Sequence, residues 1–355
     1  MSQTHIWLRA ETKPQEQRTA LTPSGAKTLI ESGFKVSVER SEQNIFDPEK
    51  YRKVGCDIVA QGSWPQAPNS AFILGLKELP EDNFPLVHKH IYFAHAYKEQ
   101  TGASDILSRF KQGDGALYDL EFLVDENQCR IAAFGYWAGF AGAALGIWTW
   151  ANKQLGKTAL SPVSSFPDQA QLIREVSILL AQCATKPTMM VIGAKGRSGS
   201  GAIGLAKALQ INTIEWDMEE TMVGGPFAQV NNADVLVNCV LVNRDLPPFV
   251  TYTSLDTAER TLSVICDVSC DPYGDYNPIR IYDHCTTFNE PTIEVIPQPN
   301  NLHLIAIDHL PSLLPKESSE DFGQQLVPYL ARLDDLSRPV WQQALDIYHQ
   351  KTKNL

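Results

Sequence analysis

The 355-residue sequence predicts an α/β protein of two doubly wound domains with a cleft between them, its C-terminal helices returning to the first domain. Three observations carry that prediction. The chain is too long for one average core. Short apolar runs alternate with helical patterns along its first third, as in a mostly parallel sheet. Residues 188–217 then read as strand, glycine-rich turn, small amphipathic helix and second strand. The implied domains are residues 1–134 with 319–355, and residues 135–318.

In chain order, Ile6-Trp7-Leu8 opens as a strand, followed by the charged loop Arg9-Ala10-Glu11-Thr12-Lys13-Pro14 and then Arg18. Thr22 and Pro23 start a helix as cap and first-turn proline. Ala26, Leu29 and Ile30 supply its buried side, and Gly33 ends it. Residues 34–38 form a strand, Asp47-Pro48 starts a helix that reaches Gly55, and Ile58-Val59 is a third strand. Residues 71–76 are a strand presenting Lys77-Glu78, residues 91–94 a strand presenting His95, and residues 117–120 a strand ending at Glu121, with a helix over 105–111. Residues 129–134 read as one more strand. Ligands of such sheets sit outside the carboxyl ends of the strands, where Lys77, His95 and Glu121 fall.

Residues 131–152 carry no charge and are long enough to cross a bilayer. Their Gly and Ala content, with Gly142-x-x-x-Gly146, instead indicates a close-packed helix buried between the domains. Residues 156–167 form a Pro/Ser-containing link and 169–183 a helix. Strands follow over 235–239, 262–267, 292–296 and 302–307, the last ending in Asp308-His309. Residues 319–351 read as a helical tail, with Phe322, Leu326, Val327 and Leu330 on one side and Val340, Trp341, Leu345 and Tyr348 on another.

The turn Gly193-Ala194-Lys195-Gly196-Arg197-Ser198-Gly199 has Gly-x-x-Gly-x-x-Gly spacing. Glycines permit positive φ, close approach of the backbone to a pyrophosphate, and tight helix–strand packing. The helix N-terminus behind them suits phosphate. Asp217 lies where the acidic residue that bonds the adenosine ribose belongs in a Rossmann-like unit. Glu219 and Glu220 would repel a 2′-phosphate, so the expected cofactor is NAD rather than NADP, with Arg197 facing the pyrophosphate.

A net charge of -11 argues against nucleic acid or an anionic membrane surface as partner, so an anionic substrate needs locally placed arginines and lysines. Seven cysteines occur without a Cys-x-x-Cys or a signal peptide, which fits reduced thiols in a cytoplasmic protein.

A Lys and a His beside a nicotinamide suit amine oxidation: one takes the proton from nitrogen as hydride leaves carbon, and the other moves protons as water adds to the imine. Lys77, Glu78, His95, Glu121, Arg18 and Arg130 are the candidates. Bland readings stand beside them. Lys77-Glu78 reads equally as an exposed strand-end pair, His95 as a satisfied core histidine, and the arginines as surface residues. His88-x-His90 lacks a third ligand at metal spacing, so no metal is expected. Cys266-x-x-x-Cys270 reads as packing rather than a redox pair, and Trp148-x-Trp150 as core.

The blocks Arg9–Pro14 with Arg18 and Ala20-Leu21-Thr22-Pro23, Gly75-Leu76-Lys77-Glu78, Phe93-Ala94-His95 with Tyr97-Lys98, and Leu117 to Leu123 together resemble the saccharopine dehydrogenases (NAD, L-lysine-forming). Ala132-Ala133-Phe134-Gly135, Ala138 to Gly146, Gly224-Gly225-Pro226-Phe227 and Ile307 to Pro315 continue the resemblance, which spans nearly the whole chain and is weak only over residues 153–168. The first block is shared in outline with alanine dehydrogenases and the transhydrogenase NAD domain. The resemblance implies NAD in the second domain and a reversible reaction: saccharopine, NAD and water give lysine, 2-oxoglutarate and NADH. It implies Lys77 as base on the secondary amine and His95 as acid–base for imine hydrolysis. Arg18 and Arg130 would hold substrate carboxylates with Phe134 nearby, and Ser269, Cys270 and Asp271 would touch substrate. Glu78 and Glu121 would tune the Lys and His, and Lys98 and Asp308 would support cofactor and substrate. Gln100, Arg130, Gly193, Gly196, Arg197, Asp217, Thr221, Val268, Ile307, Asp308, His309 and Leu310 match cofactor contacts. The expected protein is a monomer or small homo-oligomer with small-molecule substrates. A related NAD-dependent amino-acid or opine dehydrogenase with another keto-acid or amine, or an NAD(H)-binding sensor without turnover, are the other readings.

Overall fold

A computed structural model describes residues 3–98 and 102–355. The chain divides into two compact units, Met1–Ala133 with Pro315–Leu355, and Phe134–Leu314.

The first unit is built on β1 (His5–Leu8), α1 (Pro23–Glu31), β2 (Lys35–Glu39), α2 (Pro48–Lys53), β3 (Asp57–Val59), β4 (Phe72–Leu74), β5 (Lys89–Tyr92), α3 (Ala103–Gly113) and β6 (Ala116–Asp119). The strands form a parallel sheet of order β3-β2-β1-β4-β5-β6. β1 is buried at every position, as expected of a parallel strand covered on both faces. Local chemistry starts the helices: the Thr22 hydroxyl accepts the Gly25 N–H, Asp47 accepts the Glu49 N–H, and a proline follows each cap. Chain order reverses between β1 and β4, the switch point at which such sheets open a crevice.

Residues 129–134 do not form the expected strand. Only Val124 and Arg130 pair, as an isolated bridge across a turn that Asp125 closes by accepting the Asn127 and Cys129 N–H groups.

The second unit contains α4 (Gly135–Gln154), α5 (Gln169–Leu180), β7 (Thr188–Ile192), α6 (Arg197–Leu209), β8 (Asn212–Trp216), α7 (Met218–Thr221), β9 (Val235–Asn238), α8 (Tyr252–Leu255), β10 (Val264–Asp267), β11 (Ile293–Ile296) and β12 (Leu302–Ile305). Its sheet has the order β11-β12-β10-β9-β7-β8, with only β11 antiparallel. The order reverses between β7 and β9. The uncharged segment is α4, whose Ala, Leu and Trp side chains join the core of this unit. A Cβ at Gly139 would lie 1.7 Å from the Ser198 carbonyl oxygen, and one at Gly201 would lie 1.8 Å from that of Tyr136, so α4 and α6 meet backbone to backbone. Among the described residues no helix is long and apolar enough to cross a membrane.

The tail is two helices rather than one, α9 (Pro315–Leu330) and α10 (Pro339–Thr352). The turn between them holds Asp335, which accepts the Ser337 N–H, and Pro339 begins the new helix. Both helices belong to the first unit: Phe322 meets Phe93, Trp341 meets Tyr118, and Tyr348 donates to the Gly115 carbonyl.

Candidate functional site

In the first unit, Lys77 follows β4 and is held by its backbone. Glu11 accepts the Leu76 N–H at 2.6 Å and the Lys77 N–H at 2.9 Å, and Arg9 donates to the Lys77 carbonyl. Both side chains are buried and face each other at 3.5 Å. Gly75 is required here, since a Cβ would come within 2.3 Å of Arg9 Nε. Sequence reasoning treated Arg9 and Glu11 as part of a charged loop. The available signal was that two opposite charges directly follow a buried strand.

Around this backbone, His95 Nδ1 lies 2.5 Å from Glu78 Oε1, and Glu78 Oε2 lies 3.5 Å from Lys13 Nζ. Burial works against the Glu78 carboxylate, yet the hydrogen bond and charge of His95, with Lys13, hold it down to about 2. The Glu78 hydrogen bond raises the His95 imidazole above its ordinary value against the effect of burial, and Glu121 adds to the rise while Lys77 opposes it. His95 has φ 49°, a left-handed conformation that the turn imposes on a non-glycine residue. Lys98 Nζ reaches Glu121 at 2.6 Å. Burial, with the charge of Glu121 adding to it, pushes Asp119 up to about 6, and Asp119 accepts the Glu121 N–H.

Arg18 is buried and grips Glu16 in a fork, Nε to Oε1 at 2.8 Å and Nη2 to Oε2 at 2.6 Å. Burial opposes ionisation of Glu16, but Arg18, with Lys77 contributing, holds its carboxyl below the usual range. Arg130 is exposed on the bridge to Val124. Lys77, Glu78, His95, Glu121 and Lys98 thus gather at the carboxyl ends of β4, β5 and β6, while Arg130 stands on a separate turn. Gln100 lies outside the described residues.

In the second unit, the three loop glycines differ in what they do. Gly193 has φ 86°, and a Cβ at Gly199 would meet the Gly193 carbonyl at 2.1 Å. Gly196 is the N-cap of α6, with only the Gly193 carbonyl within 4 Å of where a Cβ would stand. The first glycine makes the turn, the last lets helix and strand pack, and the middle one leaves open the face a pyrophosphate needs. Asp217, the N-cap of α7, accepts the Lys195 N–H at 2.7 Å and the Met218 N–H at 2.9 Å, and the Lys195 hydrogen bond leads in lowering its pKa. Glu220 accepts the Asp217 N–H in return, and Thr221 Oγ1 donates to the Asp217 carbonyl. Arg197 is exposed at the first position of α6. This open glycine face, the N-terminus of α6 and a carboxylate at the end of β8 fit a dinucleotide.

Across the switch point, the ends of β9 and β10 are tied together. Asp267 is buried and accepts from Ser269 Oγ at 2.6 Å, Asn238 Nδ2 at 2.9 Å and Tyr282 Oη at 2.7 Å. Val268, Ser269, Cys270 and Asp271 follow β10. Ile307, Asp308, His309 and Leu310 follow β12, its sheet neighbour. The Asp308 carboxylate is bonded to the His309 imidazole. Phe134 caps α4. The Asp267, Asn238 and Tyr282 ties escaped sequence reasoning, although two of these residues close strands.

Elsewhere, His88 Nε2 lies 3.0 Å from the Ala67 carbonyl oxygen and the His90 ring packs edge-on against Trp64 and Phe110. Cys266 is core, and Cys270 turns instead toward Cys285.

Family models for the alanine dehydrogenase/PNT N-terminal domain and C-terminal domain match residues 7–141 and 227–348. The chain is 50% identical over 371 residues to a saccharopine dehydrogenase (NAD+, L-lysine-forming) of Emericella nidulans, covering 100% of this chain and 99% of that protein. It is 47% identical to the protein of the same name from Schizosaccharomyces pombe, covering 99% of each. A solved L-alanine dehydrogenase superposes with a TM-score of 0.70 at 16% identity, covering 99% of each chain, and shares the two-unit α/β architecture.

Proposed function

Because the chain belongs to the family of saccharopine dehydrogenases (NAD+, L-lysine-forming), we propose that it oxidises saccharopine with NAD and water to L-lysine and 2-oxoglutarate, reversibly. The observation that carries the chemistry on this chain is the Glu78–His95 pair, 2.5 Å apart and beside Lys77 at the strand ends of the first unit.

When bound, NAD would supply the hydride acceptor for the carbon that bears the substrate's secondary amine. Gly193, Gly196, Arg197, Asp217 and Thr221 would hold it, with Val268, Ile307, Asp308, His309, Leu310, Gln100 and Arg130 as further contacts. Asp217 would favour NAD as an acceptor for ribose hydroxyls. Lys77 takes the proton from the substrate nitrogen, and the backbone clasp of Arg9 and Glu11 aims it. His95 then moves protons as water adds to the substrate imine and lysine departs. Glu78 keeps the imidazole oriented and favours its protonated form. Glu121 and Lys98 balance charge around it. Arg18 and Arg130 take substrate carboxylates, since a guanidinium matches a carboxylate with two parallel donors. Arg18 would do so while anchored by Glu16. Phe134, Ser269, Cys270 and Asp271 border the substrate.

The same reading puts the protein in the cytoplasm, as a monomer or small homo-oligomer; its seven cysteines are all free thiols. NADH oxidation measured with 2-oxoglutarate plus lysine, against pyruvate plus ammonia, tests the proposal. Turnover with the first pair alone is expected. Turnover with the second pair instead would make it an amino-acid dehydrogenase of another specificity, and none with any pair a silent NAD(H) sensor.

A further inference from the structure

The seven free cysteines include one juxtaposed pair that the proposed reaction does not use. Cys270 Sγ donates to Cys285 Sγ at 3.4 Å, across a loop of intervening residues 271–284. Both residues are partly exposed, whereas Cys266, four positions before Cys270, is fully buried in the core. A disulfide needs the two sulfurs to approach from there to about 2.05 Å. Cys270 also sits at φ 47° directly after Ser269, which is tied through Asp267 to Tyr282, three residues before Cys285. The two sulfurs are therefore held at both ends of one small loop by a shared carboxylate.

We propose that Cys270 and Cys285 form a reversible dithiol–disulfide couple, oxidised by a peroxide, that switches the enzyme down by locking the segment at the end of β10. The sulfur that accepts the hydrogen bond, Cys285, attacks first. Its S–O bond forms as the peroxide O–O bond breaks, giving a sulfenic acid and one water. The Cys270 sulfur then displaces the hydroxyl, which leaves as a second water with the Cys270 proton. Two thiols lose two electrons and two protons to one hydrogen peroxide. Burial, with the neighbouring Cys285, Asp267 and Asp308, pushes the Cys270 thiol up, which suits it to the second step rather than the first. A cytoplasmic protein keeps such a couple reduced until an oxidant arrives.

The effect on turnover rests on the reading that Ser269, Cys270 and Asp271 border the substrate, but formation of the bond does not. The test treats the whole protein with hydrogen peroxide and maps its peptides without reductant. A Cys270–Cys285 cross-link, two hydrogens lighter and reversed by dithiothreitol, is expected in the natural protein and absent from Cys285→Ser and Cys270→Ser. Oxidised residues without that link would overturn the proposal. In parallel, turnover with lysine and 2-oxoglutarate should fall at least fivefold on treatment and recover with dithiothreitol, while Cys285→Ser keeps its activity. A cross-link with unchanged turnover removes the switch. A protein with no turnover before treatment defeats the proposed reaction, and the cross-link is still decided by the peptide map.

Discussion

The Glu11 carboxylate is bonded to the backbone of Lys77, with its second oxygen 2.9 Å from that N–H and its first 2.6 Å from the N–H of Leu76. Burial raises the pKa of Glu11, and Arg9 opposes the rise. The strand end is thus fastened by a buried ion pair. Glu11→Ala removes one partner of that pair and leaves a buried guanidinium and two amides behind. A loss of about 3 kcal/mol is expected, read by denaturant unfolding. Glu11→Gln, which keeps the shape but offers one acceptor oxygen, should fall between the two.

Lys77→Met is expected to lower kcat by about a hundredfold to ten-thousandfold, the range of a lost acid–base group, with NAD affinity unchanged. Steady-state kinetics and NADH fluorescence titration measure the two quantities separately. Unchanged turnover removes Lys77 as the base.

Glu78→Gln should bring the His95 pKa back down toward its ordinary value, because the Glu78 hydrogen bond is the leading cause of its rise. The stabilising effect on His95 is full below its unfolded pKa and disappears as pH rises through the folded one. For Glu78 the sense is opposite: its contribution is full above its unfolded pKa and disappears as pH falls toward about 2. The pair therefore contributes most in mildly acidic solution. Imidazole titration by NMR, with a pH series of melting temperatures, checks both limbs. An unmoved His95 titration would show that the pair is not coupled in solution.

Asp217→Ala should weaken NAD binding and relax discrimination against NADP, by about 1.5–3 kcal/mol for hydrogen bonds to a charged acceptor. The substitution also strips the Lys195 amide of its acceptor, so the ratio of kcat/KM for the two cofactors is the informative quantity rather than NAD affinity alone. An unchanged ratio counts against the ribose role.

Gly139→Ala should destabilise the second unit by about 1–3 kcal/mol, the usual cost of overpacking, because its Cβ would stand 1.7 Å from the Ser198 carbonyl oxygen. Thermal unfolding measures this. An unshifted transition would mean that α4 and α6 separate without cost.

The fold was legible where local chemistry and packing agree. Thr22-Pro23 and Asp47-Pro48 announce helix starts, and the largely apolar runs of β7 and β9 announce buried parallel strands. It was less legible where a long-range pair decides. Residues 129–134 are apolar toward their end yet find no neighbouring strand, only a single bridge. Phe322 and Trp341 were recognised as core, but the turn at Asp335 that separates their helices depends on a side-chain bond. In the candidate site, strand ends could be read from spacing. The Arg9–Glu11 clasp could not, because charges in a loop resemble a solvated loop until a distant strand delivers the groups they bind. Cys285 lies 15 positions after Cys270, with no local pattern to join them.

The core around β6 is completed by Trp341 and Tyr348, and the side of α1 by α9, all from residues 315–355. As the chain leaves the ribosome, the unit encoded first must wait, partly uncovered, while the interposed one can close with sequence already in hand. A chain truncated after residue 314 and released should therefore resist protease in its later portion and be cut in its earlier one.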